Sequence, residues 1–310
     1  MDDWRIEVVT TREQLVQLAA LATEIAPERP YSADELEHGE RTYPGGTRLL
    51  VSAGPTPVAY GTVGRIYVYA ADFDGAWAEI GVANAFRRRG IGGELYRRLS
   101  ERAADLGKAA LHVPGSEARP EAIAWLARRG FVEYERSRAV ALDVRSAEVR
   151  PVDSPAGIEI TTLAERPYLL EPLWRVSEST LRDIPGSDEP HTAGTFEEWI
   201  AYDIEGPMAR RDAIFIALAG DEIAGYASLC IPGARPTTAW HDMTGVVRPF
   251  RGRGIAGALK RAAIVWAAEH GIDTLETENN VENAPMRAVN ASLGYAPQPD
   301  QVILRGPLAD

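Results

Sequence analysis

Apolar and polar residues alternate from Trp4 to Val9, with Trp4, Ile6 and Val8 on one face, which predicts a strand. The period then changes. Thr11-Arg12-Glu13-Gln14 has the form of a capping box, and Leu15, Leu18, Leu21 and Ile25 follow at helical spacing. Ser32-Ala33-Asp34-Glu35 opens a second helix that ends near Gly39. Thr47–Ala53 and Val58–Ala70 are β-rich runs either side of Gly54-Pro55-Thr56-Pro57, which reads as a hairpin. A strand from Trp77 to Ala83 runs into Phe86-Arg87-Arg88-Arg89-Gly90-Ile91-Gly92-Gly93, inside which a helical pattern starts and continues to Leu106. A short strand (Ala109–Val113), a helix (Pro120–Arg129) and closing β structure (Phe131–Val144) follow.

Periodicity is lost over residues 146–157, where Pro, Ser and charge accumulate, so this stretch reads as a linker between domains 1–145 and 158–310. The second domain restarts with a strand at Ile158–Leu163. Helices are expected around Tyr168–Leu181 and Phe196–Ile204, the latter capped by Thr195 with Glu198. Strands at Ile214–Leu218, Ile223–Ile231 and Trp240–Val247 precede a helix from Ile255 to His270. A strand (Thr274–Glu278), a helix (Ala284–Leu293) and a final strand (Gln301–Arg305) complete the chain.

The two halves are copies. Gly81, Val82, Phe86, Arg87, Gly90, Leu95, Gly107, Leu111 and Gly130 stay in gapless register with Gly245, Val246, Phe250, Arg251, Gly254, Leu259, Gly271, Leu275 and Gly294. A repeat this long is a duplicated domain, since solenoid units recur every ~20–50 residues. What was duplicated is a strand, a basic glycine-rich turn and a helix start. Free N–H groups and the helix dipole favour an anion there, and glycine lets a phosphate reach the backbone.

Composition narrows the chemistry. The 310 residues suit two domains. A net charge of −12 argues against nucleic acid as the main partner and is compatible with a cationic or amine substrate. The single cysteine, Cys230, permits no intrachain disulfide, and the five histidines lack metal-ligand spacing, so no metal is expected. The acidic N-terminus lacks a signal-peptide core, and no apolar run nears the ~20 residues of a membrane span, so a cytoplasmic protein is expected. Gly252-Arg253-Gly254-Ile255-Ala256-Gly257 also satisfies the dinucleotide pattern Gly-x-Gly-x-x-Gly. Arg88 stands in the first copy where Gly252 stands in the second, and several β segments precede the motif, so a nicotinamide enzyme is disfavoured.

Arg87-x-x-Gly90-x-Gly92 and Arg251-x-x-Gly254-x-Ala256, with their flanking hairpins and the late Gly130-Phe131 and Gly294-Tyr295, resemble the signature of the GCN5-related N-acetyltransferases, in a tandem arrangement like that of mycothiol synthases. The resemblance implies an α/β (α+β) fold of two acyl-coenzyme A N-acyltransferase domains, each a mixed, splayed, mostly antiparallel sheet flanked by helices. It implies acetyl-coenzyme A, a small-molecule amine acceptor, and a monomeric pseudo-dimer or a weak homodimer. The pyrophosphate would lie on Arg87, Arg88, Arg89, Gly90, Gly92 and Gly93, or on Arg251, Gly252, Arg253, Gly254, Ile255, Ala256 and Gly257. The pantetheine arm would run beside Val82 and Ala83, or beside Val246 and Val247. Asn283, with Asn279 nearby, matches the family's cofactor asparagine, whereas the first half has Arg119 there. The family's acidic tyrosine is replaced by Leu126 and by Asn290; Tyr202, Tyr226 and Tyr295 stay open as substitutes. Candidate bases are Asp242 and Glu278 in the second half and Glu79 in the first. In tandem relatives the C-terminal half usually carries the chemistry, so it is expected here, with the N-terminal half degenerate. The alternative is a coenzyme A-binding sensor or partner module without turnover.

Overall fold

The computed structural model describes residues 4–147, 153–186 and 189–309. Residues 148–152 of the expected linker lie outside that set. In the first half, β1 (Trp4–Val8) is followed by α1 (Arg12–Ile25), α2 (Ala33–Thr42), β2 (Thr47–Ala53), β3 (Thr56–Arg65) and β4 (Gly75–Val82). Then come α3 (Ile91–Asp105), β5 (Ala110–Ser116), α4 (Pro120–Ala127) and β6 (Val132–Asp143). The second half runs β7 (Glu159–Thr162), α5 (Leu170–Leu181), α6 (Phe196–Trp199) with a π-helical turn at Ile200–Ile204, β8 (Ala209–Ala219), β9 (Glu222–Cys230) and β10 (Thr238–Val246). It ends with α7 (Ile255–Glu269), β11 (Thr274–Asn280), α8 (Ala284–Ser292), β12 (Ala296–Pro297) and β13 (Gln301–Pro307). The helix starts expected at Thr11, Ser32 and Thr195 all form, each as a capping box whose side chain accepts from the N3 amide.

Two compact units result: residues Met1–Arg136 with Gln301–Asp310, and Ser137–Asp300. This differs from domains cut at 145 and 158. The final strand β13 does not complete the second sheet; it pairs antiparallel with β5 of the first, Gln301 opposite Ser116 and Pro307 opposite Ala110. In return, Ser137–Asp143 of β6 pair with β11, Ser137 opposite Asn280 and Asp143 opposite Thr274. Each half is therefore finished by a strand that chain order assigns to the other. Strand pairing satisfies backbone groups wherever an edge is open, and a linear pattern does not say which edge that is.

In the first unit the sheet order is β1-β2-β3-β4-β5-β13, antiparallel except for β4 with β5. Leu95 and Leu99 of α3 are fully buried against β3. Gly61 makes that approach possible, because a Cβ there would stand 3.0 Å from Leu99 Cδ1. β4 and β5 pair in parallel only over Gly75–Trp77 and Ala110–His112, then part. The second unit repeats this: β10 and β11 pair only over Thr238–Trp240 and Thr274–Glu276. The expected pair of mixed, splayed sheets is present.

The core of the second unit holds a buried cation. Lys260 on α7 is 1% exposed and its Nζ has no hydrogen-bond partner among the described residues. It stands 5.2 Å from the centre of the Tyr295 ring, whose hydroxyl is 2.7 Å from His241 Nε2. Burial lowers the Lys260 ammonium to about 7, and burial followed by the Lys260 charge pushes His241 well below its ordinary range. An unfolded lysine titrates near ~10.4, so the folded state must shed or bury a proton. The penalty is complete below pH ~7 and fades as pH rises toward ~10. Lys260→Met, which keeps the stem, is expected to raise unfolding free energy by about 3–5 kcal/mol at pH 6, with the gain shrinking toward pH 10. Urea unfolding at both pH values measures it; a gain independent of pH would assign the effect to packing.

Candidate active site in the splayed strands of the first half

The two glycine loops share a backbone shape. Gly90 and Gly254 cap α3 and α7 in the left-handed region, at φ 84° and 81°. Two residues earlier, Gly252 has φ 76°, and Arg88 holds the same conformation at φ 64°. Arg88 is the only non-glycine residue with positive φ among the described residues. Such strain persists where the backbone is needed in that form. Here it turns successive amides toward one point ahead of a helix start, the shape of an anion nest.

Around the first loop the parted strands enclose a cavity of about 730 Å³. Its walls come from β4 (Glu79 to Val82), β5 (Val113 to Ser116), the loop glycines Gly90, Gly92 and Gly93, the α4 face around Trp125, and the end of α1. Arg87 is fixed across it, with Nε donating to Val82 O at 3.1 Å and Nη1 reaching Glu121 at 3.4 Å. Arg129 lies 3.7 Å over the Trp125 ring and donates to Trp125 O. Arg119, which aligns with Asn283 of the second half, donates to Ile25 O at 2.8 Å and pairs with Glu28, tying the end of α1 to the start of α4.

At the β4 wall stands Glu79, 7% exposed. Its Oε1 accepts from Tyr31 Oη at 2.6 Å and from Trp77 Nε1 at 3.1 Å. Both donors converge on one oxygen, so the carboxylate is held in a single orientation with Oε2 left over. Tyr60, on β3, crosses Gly81 so closely that a Cβ at Gly81 would lie 2.1 Å from its ring. Burial, then the Glu79 charge, pushes both Tyr31 and Tyr60 upward, so both keep their protons. The sequence marks Glu79 as a candidate from its strand but does not mark Tyr31 or Tyr60. Tyr31 lies in a loop 48 positions away, and no local spacing announces it.

The second loop is arranged differently. Arg251 keeps its bond to Val246 O at 2.9 Å, but its Nη2 is 2.5 Å from Asp183, which also pairs with Arg248. Arg253 donates to Ala156 O, and Pro155 lies 3.9 Å from a Cβ built on Gly254. Beyond Asp183, Gly186 sits where a Cβ would be 2.1 Å from the Asn280 side chain. The segment after α5 thus reaches from the end of β10 to the end of β11. Asn283 is used as the N-cap of α8, accepting from Met286 N, and Asn279 accepts from Asn290 Nδ2 at 2.6 Å. Glu278 lies on β11 opposite Ala139. Asp242 occupies a bulge between His241 and Met243. Its side chain is exposed. Desolvation raises both Asp242 and Asp203 of the π-helical turn, and the Asp242 charge raises Asp203 further. Of the open tyrosines, Tyr295 is paired with His241 and Tyr226 donates to Ser177 at 2.9 Å, while Tyr202 lies in the π-helical turn.

The model of the acetyltransferase (GNAT) family matches residues 13–131 and again 173–295. The chain belongs to the GNAT family. It is a tandem GNAT protein, one family segment in each half. Among curated proteins none matches. The solved GCN5-related N-acetyltransferase from Sphaerobacter thermophilus is 18% identical over 100% of this chain and 97% of its own, with a TM-score of 0.74. A tandem GNAT protein from the clavulanic acid biosynthesis pathway is 21% identical over 99% of both chains, with a TM-score of 0.78. A GNAT-family acetyltransferase from Colwellia psychrerythraea is 14% identical over 98% of this chain and 100% of its own, with a TM-score of 0.64. At these identities the likeness is one of fold. Among the described residues of this GNAT chain, no helix is long and apolar enough to cross a membrane.

Proposed function

We propose that the protein is an acetyl-coenzyme A-dependent N-acetyltransferase for a small-molecule amine, and that the reaction takes place in the first half. The observation that carries this reading is the cavity joining the Arg87–Gly93 loop to an oriented carboxylate, Glu79. The residues present fit the cofactor. The loop amides and the Arg88 guanidinium suit a pyrophosphate. Past Trp77 the β4 edge that faced β5 has no strand partner among the described residues, so its backbone groups suit the amides of a pantetheine arm. Bound there, the cofactor supplies an acyl group activated as a thioester.

The chain's own part follows from its geometry. Glu79 Oε2 takes the proton of the incoming ammonium, directly or through one water, while Oε1 stays fixed by Tyr31 and Trp77. The Tyr60 hydroxyl has no hydrogen-bond partner among the described residues and lines the same cavity. It is the group placed to donate a hydrogen bond to the departing sulfur, the role Leu126 cannot fill. Asp183 bound to Arg248 and Arg251 supports an occupied first loop and a closed second one.

Isothermal titration is expected to give one acetyl-coenzyme A per chain. Gly92→Leu, which fills the space beside Trp125, is expected to weaken it at least ~100-fold, about 2.7 kcal/mol. Ala256→Leu is expected to leave it unchanged. Loss of binding in the Ala256 variant alone would move the cofactor to the second half. Thiol release with an amine panel separates the enzyme from a binding module without turnover.

A further inference from the structure

Six arginines border the first-half cavity: Arg29, Arg87, Arg88, Arg119, Arg128 and Arg129. Three are engaged by protein groups, as described above. Arg88 belongs to the glycine loop, and Arg128 follows α4. Arg29 is different in place, and it is partly buried where Arg88 and Arg128 are exposed. It lies in the turn between α1 and α2, two residues before Tyr31. Its backbone is set by Arg29 N donating to Ala26 O at 2.9 Å. Among the described residues its guanidinium makes no ion pair and no side-chain hydrogen bond. The acid beside it in sequence, Glu28, is taken by Arg119. Its charge is felt at both tyrosines that flank Glu79, lowering Tyr31 and Tyr60 against the stronger upward push of burial.

The cavity thus presents one oriented carboxylate, Glu79, and one partly buried guanidinium, Arg29, with no ion pair between them. A half-buried guanidinium with no partner is costly unless something arrives to pair with it. A planar fork of donors selects a carboxylate. A zwitterion answers both charges at once, with its ammonium toward Glu79 and its carboxylate toward Arg29.

We propose that Arg29 binds a carboxylate carried by the molecule that reacts at Glu79, so that the acceptor is an amino acid or another amine with a carboxylate near its nitrogen. This rests on the first-half active site proposed above. The same guanidinium would serve an acyl chain that itself ends in a carboxylate, and the experiment separates the two sources.

The full chain is assayed with amino acids and with their carboxamides, using acetyl-coenzyme A, and with the carboxamides using succinyl-coenzyme A. Acetyl-coenzyme A affinity is measured separately by titration. The expected result is a kcat/KM for the carboxylates at least ~30-fold above that for the carboxamides. Arg29→Gln should bring that ratio near 1 with cofactor affinity within about twofold, and Arg29→Lys should restore part of it. A preference for succinyl- over acetyl-coenzyme A that Arg29→Gln removes retains the role of Arg29 and assigns the carboxylate to the acyl chain. Equal use of carboxylates and carboxamides with no Arg29-dependent preference for succinyl-coenzyme A, or no turnover of any carboxylate-bearing amine by protein that binds acetyl-coenzyme A, overturns the proposal. Failure of acetyl-coenzyme A to bind at all instead removes the underlying function.

Discussion

A chain ending at Asp300 is expected to lose the folded first half, and with it the cavity, although every residue of the cavity wall remains. The missing strand contributes Val302 and Leu304, 2% and 3% exposed, to the same apolar cluster as Leu95, Leu99 and Leu111. Burying two such side chains stabilises by about 3–6 kcal/mol together, a large share of the ~5–15 kcal/mol that keeps a domain folded. The deletion removes more than packing. It takes away the ladder along β5 from Ser116 to Ala110, the Tyr96 hydroxyl's acceptor at Pro307 O (2.8 Å), and the bond from Ala309 N to Ser100 (2.9 Å). Gly306 shows how tight the seam is, since a Cβ there would lie 2.3 Å from the Phe131 ring. Exposing β5 as a bare edge also invites aggregation. A fragment of residues 1–145 should fail for the same reason. Thermal melts and acetyl-coenzyme A titration of the truncated chain check this; an unchanged melt with intact binding would show that β13 is dispensable.

The features legible in the sequence were those written locally. The glycine loops were plain because left-handed turns and helix starts are specified within a few residues, and Gly90 and Gly254 indeed hold φ above +80°. Thr11, Ser32 and Thr195 announced their helices for the same reason. Gln301–Arg305 reads as a strand from its β-branched and apolar run Val302-Ile303-Leu304, but such a run does not say which edge is joined, so the exchange of β13 and β6 was invisible. At the site, Glu79 could be found from its strand, whereas Tyr31, Tyr60 and Arg29 reach it from separate elements. Asn283 pointed to the second half by position alone; in the fold its side chain is spent on the amide of Met286. Arg119 looked like a missing asparagine, yet it braces the start of α4 against the end of α1. Lys260 gave no sign of burial, because α7 is apolar over most of its circumference and the adjacent Lys260 and Arg261 read together as its solvent face.

Glu79→Gln is expected to lower kcat by about 10²–10⁴-fold with acetyl-coenzyme A affinity unchanged. The substitution is chosen because it isolates the proton. Glutamine has the same length, and its carbonyl oxygen can still accept from Tyr31 and Trp77, so the side chain stays where it is. What changes is the outward atom, from an oxygen that takes a proton to an amide nitrogen that cannot. Tyr31→Phe probes the other part of the arrangement. It removes one of the two donors that hold Oε1 and leaves the carboxylate basic but less fixed, so a milder loss of about tenfold is expected, in line with one hydrogen bond of ~1–1.5 kcal/mol. Asp242→Asn is the decisive counterpart. The Asp242 and Asp203 carboxyls are raised by their surroundings, a condition that also marks functional acids and bases. If the chemistry is in the first half, Asp242→Asn leaves kcat within about twofold and relieves the repulsion between the two acids. Loss of turnover in Asp242→Asn with Glu79→Gln active would place the reaction at the bulge of β10. The two variants therefore divide the halves by function, on residues whose local folds each substitution leaves intact.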